Sequence, residues 1–360
     1  MNKIIPTNKR RQSGIFKKAI LIFISTFILA SPFCDAQVTA VQATPPKSLL
    51  ALSKTDHTLA IVDPVSLKVI ARIPVGQDPH EVVASTDGKT AYVSNYGGGI
   101  LHELDVIDLV NQKPLVVVDT RPLYGPHGLA FVGGKTYFTA EGSKAVGRYD
   151  PATGKLDWSM GTGEDRTHMI FVTADAKTIY TTNVSSGTVS ILSDSLIQPG
   201  EHAPPNARPH EDWIQTVIPT ARGSEGFDVS PNGKMLWTAS SEDGTISIID
   251  LTAKKLQSSI AAKVNGANRL KFTPDGKLVL ITSLRDGELF IIDVATKKEI
   301  KSISTGHGAA GILMDPDGSR AFIGCTPDNY VAVVDLKTLT VSGHIDVGGG
   351  PDGLEWALQR

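Results

Sequence analysis

The chain has 360 residues and a formal net charge of −2, and 41% of its residues are hydrophobic. This balance argues against a broad basic surface of the kind that captures nucleic acid, and against a highly charged unfolded chain. Only two cysteines are present, Cys34 and Cys325, so the chain is not a disulfide scaffold.

The first 36 residues predict a secretory signal peptide. Six Lys and Arg residues precede or enter an uncharged apolar run at 19–30, and Cys34-Asp35-Ala36 offers a small-residue cleavage site. The apolar run is too short for a membrane anchor, which needs about 20 residues. We therefore expect cleavage before Gln37, a periplasmic or secreted bacterial location, and no membrane span in the mature chain. Cleavage removes six basic residues and one acidic residue, and the resulting charge of −7 disfavours nucleic acid as a partner.

Residues 37–46 predict a linker, and a strand–turn–strand unit recurs beyond it. In the clearest copy, Pro79–Asn95, the turn Asp87-Gly88-Lys89 separates two apolar runs. Further copies begin at Pro126, Thr167, Ser224, Ala267 and Ala309. The turn Lys, or Ser319 in the last copy, recurs every 42 to 57 residues, a spacing typical of propeller blades.

Each unit predicts four strands, A to D. In unit one these are Glu81–Ser85, Thr90–Ser94, Leu104–Leu109 and Leu115–Asp119. A seventh unit is split, with its innermost strand at 351–357 and its outer strands at 48–54, 58–63 and 68–75. We therefore predict an all-β protein: a seven-bladed β-propeller over 47–360, with four antiparallel strands per blade, closed by its two termini. The surplus segment 198–212 of unit three predicts a surface loop.

Short motifs support this fold with a family resemblance. Tyr92-Val93-Ser94-Asn95 resembles the tetrapeptide that names the YVTN (YncE-like) family of bacterial seven-bladed propellers, and 274–277 and 333–336 are similar to its other recurring pieces. The resemblance covers about residues 47–360 and implies an exported propeller. Unit two also resembles the streptogramin lyase repeat at 137–156. These motifs shape strands and turns, so the resemblance implies a fold without choosing a function.

The residue at the start of each strand A is expected to lie at the mouth of the central channel. We call these seven positions the channel-mouth ring: His80, His127, His168, Glu225, Asn268, Ala310 and Asp352. Three imidazoles with Glu225 form a common ligand set for a transition metal such as Zn or Cu. The other part of the ring would suit Ca, because its oxygen ligands come from Glu225, Asn268 and Asp352. A metal-free ligand site and a purely structural role remain open alternatives.

Loops between strands B and C converge on the same face. Glu141 lies in one of them and is expected to face His127, and this pair resembles part of the Mg²⁺ site of the streptogramin lyases, although Ser143 replaces a further His. His127 and Glu141 are therefore candidate catalytic residues for acid–base work, with a simple surface hydrogen bond as the alternative. Arg269 is suited to an anion. The candidate ligand-binding residues are Asn95, Asn268, Arg269 and Asp352.

Three functions fit these observations. The first is a binding protein with a small-molecule or metal site at the channel mouth. The second is a metal-dependent lyase or lactonase-like hydrolase, so the sequence leaves open whether the protein is an enzyme. The third is a protein-interaction scaffold that uses blade edges and 198–212. No haem-attachment motif is present, and the glycines 97–99 are not followed by a predicted helix, so neither haem nor nucleotide is expected. We expect a monomer.

Overall fold

The computed structural model describes residues 42–360 apart from residues 203 and 205. The predicted signal peptide at 1–36 lies outside the described residues. Of the predicted linker, residues 42–46 are described, and the hydroxyl of Thr44 donates a hydrogen bond to the Leu109 carbonyl at 2.5 Å. None of the helices in the described residues has the length and apolar character needed to cross a membrane.

Strands dominate the described chain. The first three are β1 (Lys47–Ser53), β2 (Thr58–Asp63) and β3 (Lys68–Pro74). Blade one contains β4 (Pro79–Ala84), β5 (Thr90–Asn95), β6 (Glu103–Asp108) and β7 (Lys113–Asp119). Blade two contains β8 (Pro126–Val132), β9 (Lys135–Ala140), β10 (Ala145–Asp150) and β11 (Lys155–Gly161). Blade three contains β12 (Thr167–Val172), β13 (Thr178–Asn183), β14 (Thr188–Ile197) and β15 (His210–Pro219).

The remaining blades follow the same order from strand A to strand D. Blade four contains β16 (Ser224–Val229), β17 (Met235–Ser240), β18 (Thr245–Asp250) and β19 (Lys255–Ala261). Blade five contains β20 (Ala267–Phe272), β21 (Leu278–Ser283), β22 (Glu288–Asp293) and β23 (Lys298–Ser304). Blade six contains β24 (Ala309–Met314), β25 (Arg320–Cys325), β26 (Tyr330–Asp335) and β27 (Thr340–Ile345). The last strand is β28 (Pro351–Leu358). Three short 3-10 helices lie in loops between strands B and C: Gly97–Gly99, Glu141–Ser143 and Thr326–Asp328.

The two ends of the chain share blade seven. Its sheet has the order β28-β1-β2-β3, and β28 pairs antiparallel with β1. This pairing closes the ring, because a blade formed from both termini leaves no gap between the first and last repeats. The structure therefore confirms the predicted seven-bladed β-propeller with four antiparallel strands per blade.

The hydrophobic core is divided among the contacts between neighbouring blades. Each of the seven blade-to-blade interfaces has its own cluster of buried side chains. Between blades four and five, for example, the Trp237 ring packs against Phe272 with 5.7 Å between ring centres. Strand C is apolar on both faces, as in β18, because neighbouring blades cover both sides of the sheet.

Blade three differs from the prediction at its insertion. Ile197 pairs with His210, so β14 and β15 extend beyond the ordinary blade and the connecting loop runs from 198 to 209. Residues 210–212 therefore belong to a strand, whereas the sequence predicted a loop there. The extension is mostly exposed, so it needs no apolar face, and its polar sequence gave no strand pattern.

Candidate ligand site at the channel mouth

A bulge brings each residue of the channel-mouth ring into position. Every ring residue is the second residue of an innermost strand, and in every blade the register between that strand and its neighbour shifts at this point. A β-bulge leaves one residue out of the ladder and redirects its side chain. The repeated bulge thus presents seven side chains to one opening.

All seven ring residues line one cavity of about 380 Å³ at the channel mouth. Strand β20 adds Arg269, and loops on the same face complete the wall with Lys54, Tyr96, Arg166, Leu284, Thr326 and Pro327. The walls therefore combine charged groups with aromatic and apolar surface, the mixture that is usual in small-molecule sites.

A buried charged network forms one wall of the cavity. His168 is 2% exposed; its Nδ1 contacts Glu141, and its Nε2 lies 3.3 Å from the Glu225 carboxylate. Burial alone would lower the pKa of His168, but the two carboxylates raise it above its ordinary value. Burial opposes ionisation of Glu225, yet His168 and then Arg269 lower its pKa to about 2. The wall therefore holds an imidazole between two carboxylates, which favour its protonated form.

Beside this imidazole, the surroundings of His127 favour its neutral form. Burial, followed by the charge of His168, lowers the pKa of His127 well below 6.5. Its ring lies 3.8 Å from the His168 ring and about 5 Å from the rings of His80 and Tyr96. We call His80, Tyr96, His127 and His168 the ring cluster. It gives the cavity an aromatic, partly polar surface of rings tilted against one another.

Cations from two other blades meet the remaining carboxylates. Lys54 Nζ donates a hydrogen bond to His80 Nε2 at 2.7 Å and lies 3.3 Å from the Asp352 carboxylate. Arg269 reaches across the channel from blade five to Glu81 of blade one, with an N–O distance of 2.5 Å. This ion pair spans the channel at the strand position next to the ring.

The four predicted metal ligands do not fit a bound metal ion. His80 Nε2 accepts from Lys54, and both nitrogens of His168 face carboxylates. Across residues 42–360 as described, no group of three or more His, Cys, Asp or Glu side chains is arranged to hold a metal ion. The nearby charges of Lys54 and Arg269 would also repel a divalent cation.

The structure rearranges the predicted catalytic pair. Glu141 is buried and accepts hydrogen bonds from His168 and the Tyr96 hydroxyl, whereas His127 Nδ1 has no partner among the described residues. Asn95, a predicted ligand residue, is fully buried away from the cavity wall, and its amide donates to Asp105 at 3.0 Å. The other predicted ligand residues, Asn268, Arg269 and Asp352, all line the cavity.

Sequence reasoning missed two of the three Lys and Arg residues that line the cavity, Lys54 and Arg166. Lys54 directly follows strand B of blade seven, as Tyr96 does in blade one and Thr326 in blade six. The position directly after strand B is therefore the sequence signal for this cavity residue. Arg166 lies two residues before its ring residue, where most blades have glycine.

Neither the family models nor the curated proteins match this chain. Among solved structures, it is similar to a putative 6-phosphogluconolactonase from Bacteroides fragilis NCTC 9343, with 15% identity and a TM-score of 0.69 over 88% of this chain and 99% of that one. It is similar to Kuenenia stuttgartiensis hydrazine synthase, with 18% identity and a TM-score of 0.63 over 78% and 90%. It is also similar to the dihydro-heme d1 dehydrogenase NirN in complex with DHE, with 15% identity and a TM-score of 0.60 over 88% and 76%.

At these identities the likeness concerns the fold. Fold and site together define a seven-bladed β-propeller with a mixed polar and aromatic cavity at one mouth of its channel.

Proposed function

We propose that this protein is an exported β-propeller of the YVTN type that binds a small molecule at the mouth of its channel. One observation carries the proposal. His127 Nδ1, His168 Nε2, Asn268 Oδ1 and Arg269 Nη1 are buried and have no hydrogen-bond partner in the described part of the chain, and all four residues line the same cavity. Leaving buried polar atoms unpaired costs free energy, so four beside one opening favour a group that completes them.

The character of the walls favours an organic ligand. The cavity wall includes apolar and aromatic surface from the ring cluster, Leu284 and Pro327. Such surface packs against an organic ligand and forms no strong hydrogen bonds with water. Export is supported by the basic and then apolar pattern of 1–36, and the YVTN assignment by the 92–95 motif and the repeat spacing.

The test replaces the unpaired nitrogen without removing the ring. His127→Phe keeps an aromatic side chain against His168 and removes both ring nitrogens. Binding of glucose 6-phosphate, gluconate, citrate and glucose is measured by calorimetry on the native and variant proteins. We expect at least one compound to bind the native protein and to bind the variant roughly ten- to a hundredfold more weakly, the effect of one buried hydrogen bond.

His344→Phe is the matched control, because His344 packs against Tyr330 on an outer strand, away from the cavity. It should bind as the native protein does. The proposal fails if no compound binds the native protein, or if every compound that binds it also binds His127→Phe equally well.

A lactonase-like hydrolase is the second candidate, favoured by the likeness to two putative 6-phosphogluconolactonases. The site offers little basicity for activating water. Glu141 already accepts two hydrogen bonds, and hydrogen bonding to His168 lowers its pKa despite the opposing effect of burial. The pKa of His127 is also low. Binding therefore fits the geometry better than hydrolysis.

Hydrolysis of glucono-δ-lactone by the native protein and by Glu141→Gln separates the two candidates. A binding protein should give the uncatalysed rate in both samples. Turnover by the native protein that is lost in Glu141→Gln would favour the hydrolase instead.

A further inference from the structure

The residue two positions before each ring residue has a left-handed backbone in all seven blades. Five of these positions are glycine: Gly125, Gly223, Gly266, Gly308 and Gly350, with φ between 57° and 76°. The other two are Asp78 at 51° and Arg166 at 55°. Side-chain-bearing residues are disfavoured there, so these two side chains come at a cost that glycine avoids. Both are on the cavity face, which suggests a use for each.

The use of Asp78 is visible in the structure. Its carboxylate lies 3.4 Å from His80 Nδ1 and 3.8 Å from Lys54 Nζ. Asp78 thus helps to fix the orientation of two cavity residues.

The side chain of Arg166 makes one ion-pair contact and no hydrogen bond in the described part of the chain. Its nearest acid is Glu141, with an N–O distance of 3.6 Å, and that carboxylate is already taken by His168 and Tyr96. The side chain is 45% exposed and lines the cavity.

The carboxylates of the cavity wall are already engaged. Glu225 accepts from the Asn268 amide at 2.9 Å and lies beside His168, while Asp352 lies beside Lys54. Among the charged groups of the cavity, the open hydrogen-bonding capacity is therefore cationic: the guanidinium of Arg166 and one Nη of Arg269. A guanidinium matches the paired oxygens of a phosphate or carboxylate.

We propose that the ligand carries an oxyanion, either a phosphate or a carboxylate group, and that Arg166 is the residue that binds it. The rest of the ligand lies against the ring cluster. This inference rests on the proposed function and adds the chemical class of the ligand to it.

Arg166→Gly provides a test that separates binding from folding. Glycine suits the left-handed backbone, so the variant should unfold at a higher temperature than the native protein. Its affinity for glucose 6-phosphate and gluconate should fall at least tenfold, while Arg166→Lys should lie between the two. A residue with only a structural role would not give higher stability together with weaker anion binding.

Lys263→Gly is the matched control. Lys263 has φ of 56°, is exposed in the loop before blade five, and does not line the cavity. It should gain stability as Arg166→Gly does and keep native affinity. Glucose serves as the uncharged probe, and inorganic phosphate and acetate report which oxyanion is preferred.

The inference is overturned if neither anion binds the native protein, or if Arg166→Gly binds both with native affinity. Glucose binding that is lost in His127→Phe would then show that the proposed function survives without this ligand class. If none of the probes binds the native protein, both proposals fail.

Discussion

The two faces of the propeller differ in whether their residues repeat from blade to blade. On the face with the A–B turns, four blades repeat one hydrogen bond, in which a Ser or Thr hydroxyl donates to the Asp or Asn two residues later at 2.6 to 2.8 Å. The pairs are Ser85–Asp87, Thr173–Asp175, Ser230–Asn232 and Thr273–Asp275. On the channel-mouth face, the same backbone bulge carries five different residue types in seven blades.

The two faces also differ in the range of the contacts that form them. The A–B turns are local, because each is complete within about six residues. The channel mouth depends on contacts between distant segments, such as the ion pair between Glu81 and Arg269, which are 188 residues apart. Repeated residues therefore specify the blade, and varied residues specify the site.

The largest effect is expected from breaking the contact across the channel. Arg269→Met leaves the Glu81 carboxylate without its cation and removes the arginine beside Glu225, in a site where little water reaches them. We expect a loss of about 3–5 kcal/mol in the free energy of unfolding, measured by urea denaturation.

Lys271→Met is the control, because its pair with Asp228 is 3.6 Å long and its side chain is 41% exposed. It should cost less than about 1 kcal/mol. Equal losses would show that the ion pair across the channel stabilises the fold no more than an exposed ion pair does.

A smaller effect of opposite sign is expected at Glu355, on the innermost strand β28. Burial raises the pKa of Glu355 to about 7 in the folded protein, from its ordinary value of 4.5. The unfolded chain therefore ionises first, and this carboxyl lowers stability progressively as pH rises from 4.5 to about 7. Glu355→Gln should remove that loss and be more stable above pH 7 by up to about 3 kcal/mol. Urea denaturation at pH 4.5 and 7.5 measures the difference.

The exposed Glu299 of β23 gives the matched control. Glu299→Gln should leave the pH dependence as it is in the native protein. If Glu355→Gln has the same pH profile as the native protein, the buried carboxyl does not have the raised pKa.

The smallest effect is expected in the repeated turns. Gly233 and Gly276 have φ of 70° and 69°, and an added Cβ would approach no other residue closer than 3.5 Å at either position. Changing either to Ala should therefore cost about 1–2 kcal/mol through backbone strain alone. The two costs should agree, and neither variant should change ligand affinity. Unequal costs, or weaker binding, would mean that the turns are not equivalent scaffold elements.

The sequence was sufficient for the architecture because the architecture is repetitive. Six visible copies of one hairpin gave the period, and the leftover strands at the two ends gave the closing blade. The same counting placed all seven ring residues correctly around one opening. Residues 210–212, the end of the predicted loop, instead belong to a strand. The sequence does not reveal this because an exposed strand pair carries no hydrophobic pattern.

The chemistry of the site was harder to predict because residue spacing does not give side-chain direction. Three histidines at equivalent positions of adjacent blades predicted a metal. In the structure, Lys54 donates to His80 Nε2, and two carboxylates face the nitrogens of His168. Glu141 was expected to face His127 within its own blade, and it instead contacts His168 of the next blade. Contacts between blades are invisible in a pattern that is read one repeat at a time.

The most direct test of the central proposal is a crystal structure of the protein with the tightest-binding compound of the set. We expect ligand density at the channel mouth, within hydrogen-bond distance of Asn268 and Arg269 and against the ring of His127. Water alone in that cavity, with the compound bound elsewhere on the surface, would contradict the proposal.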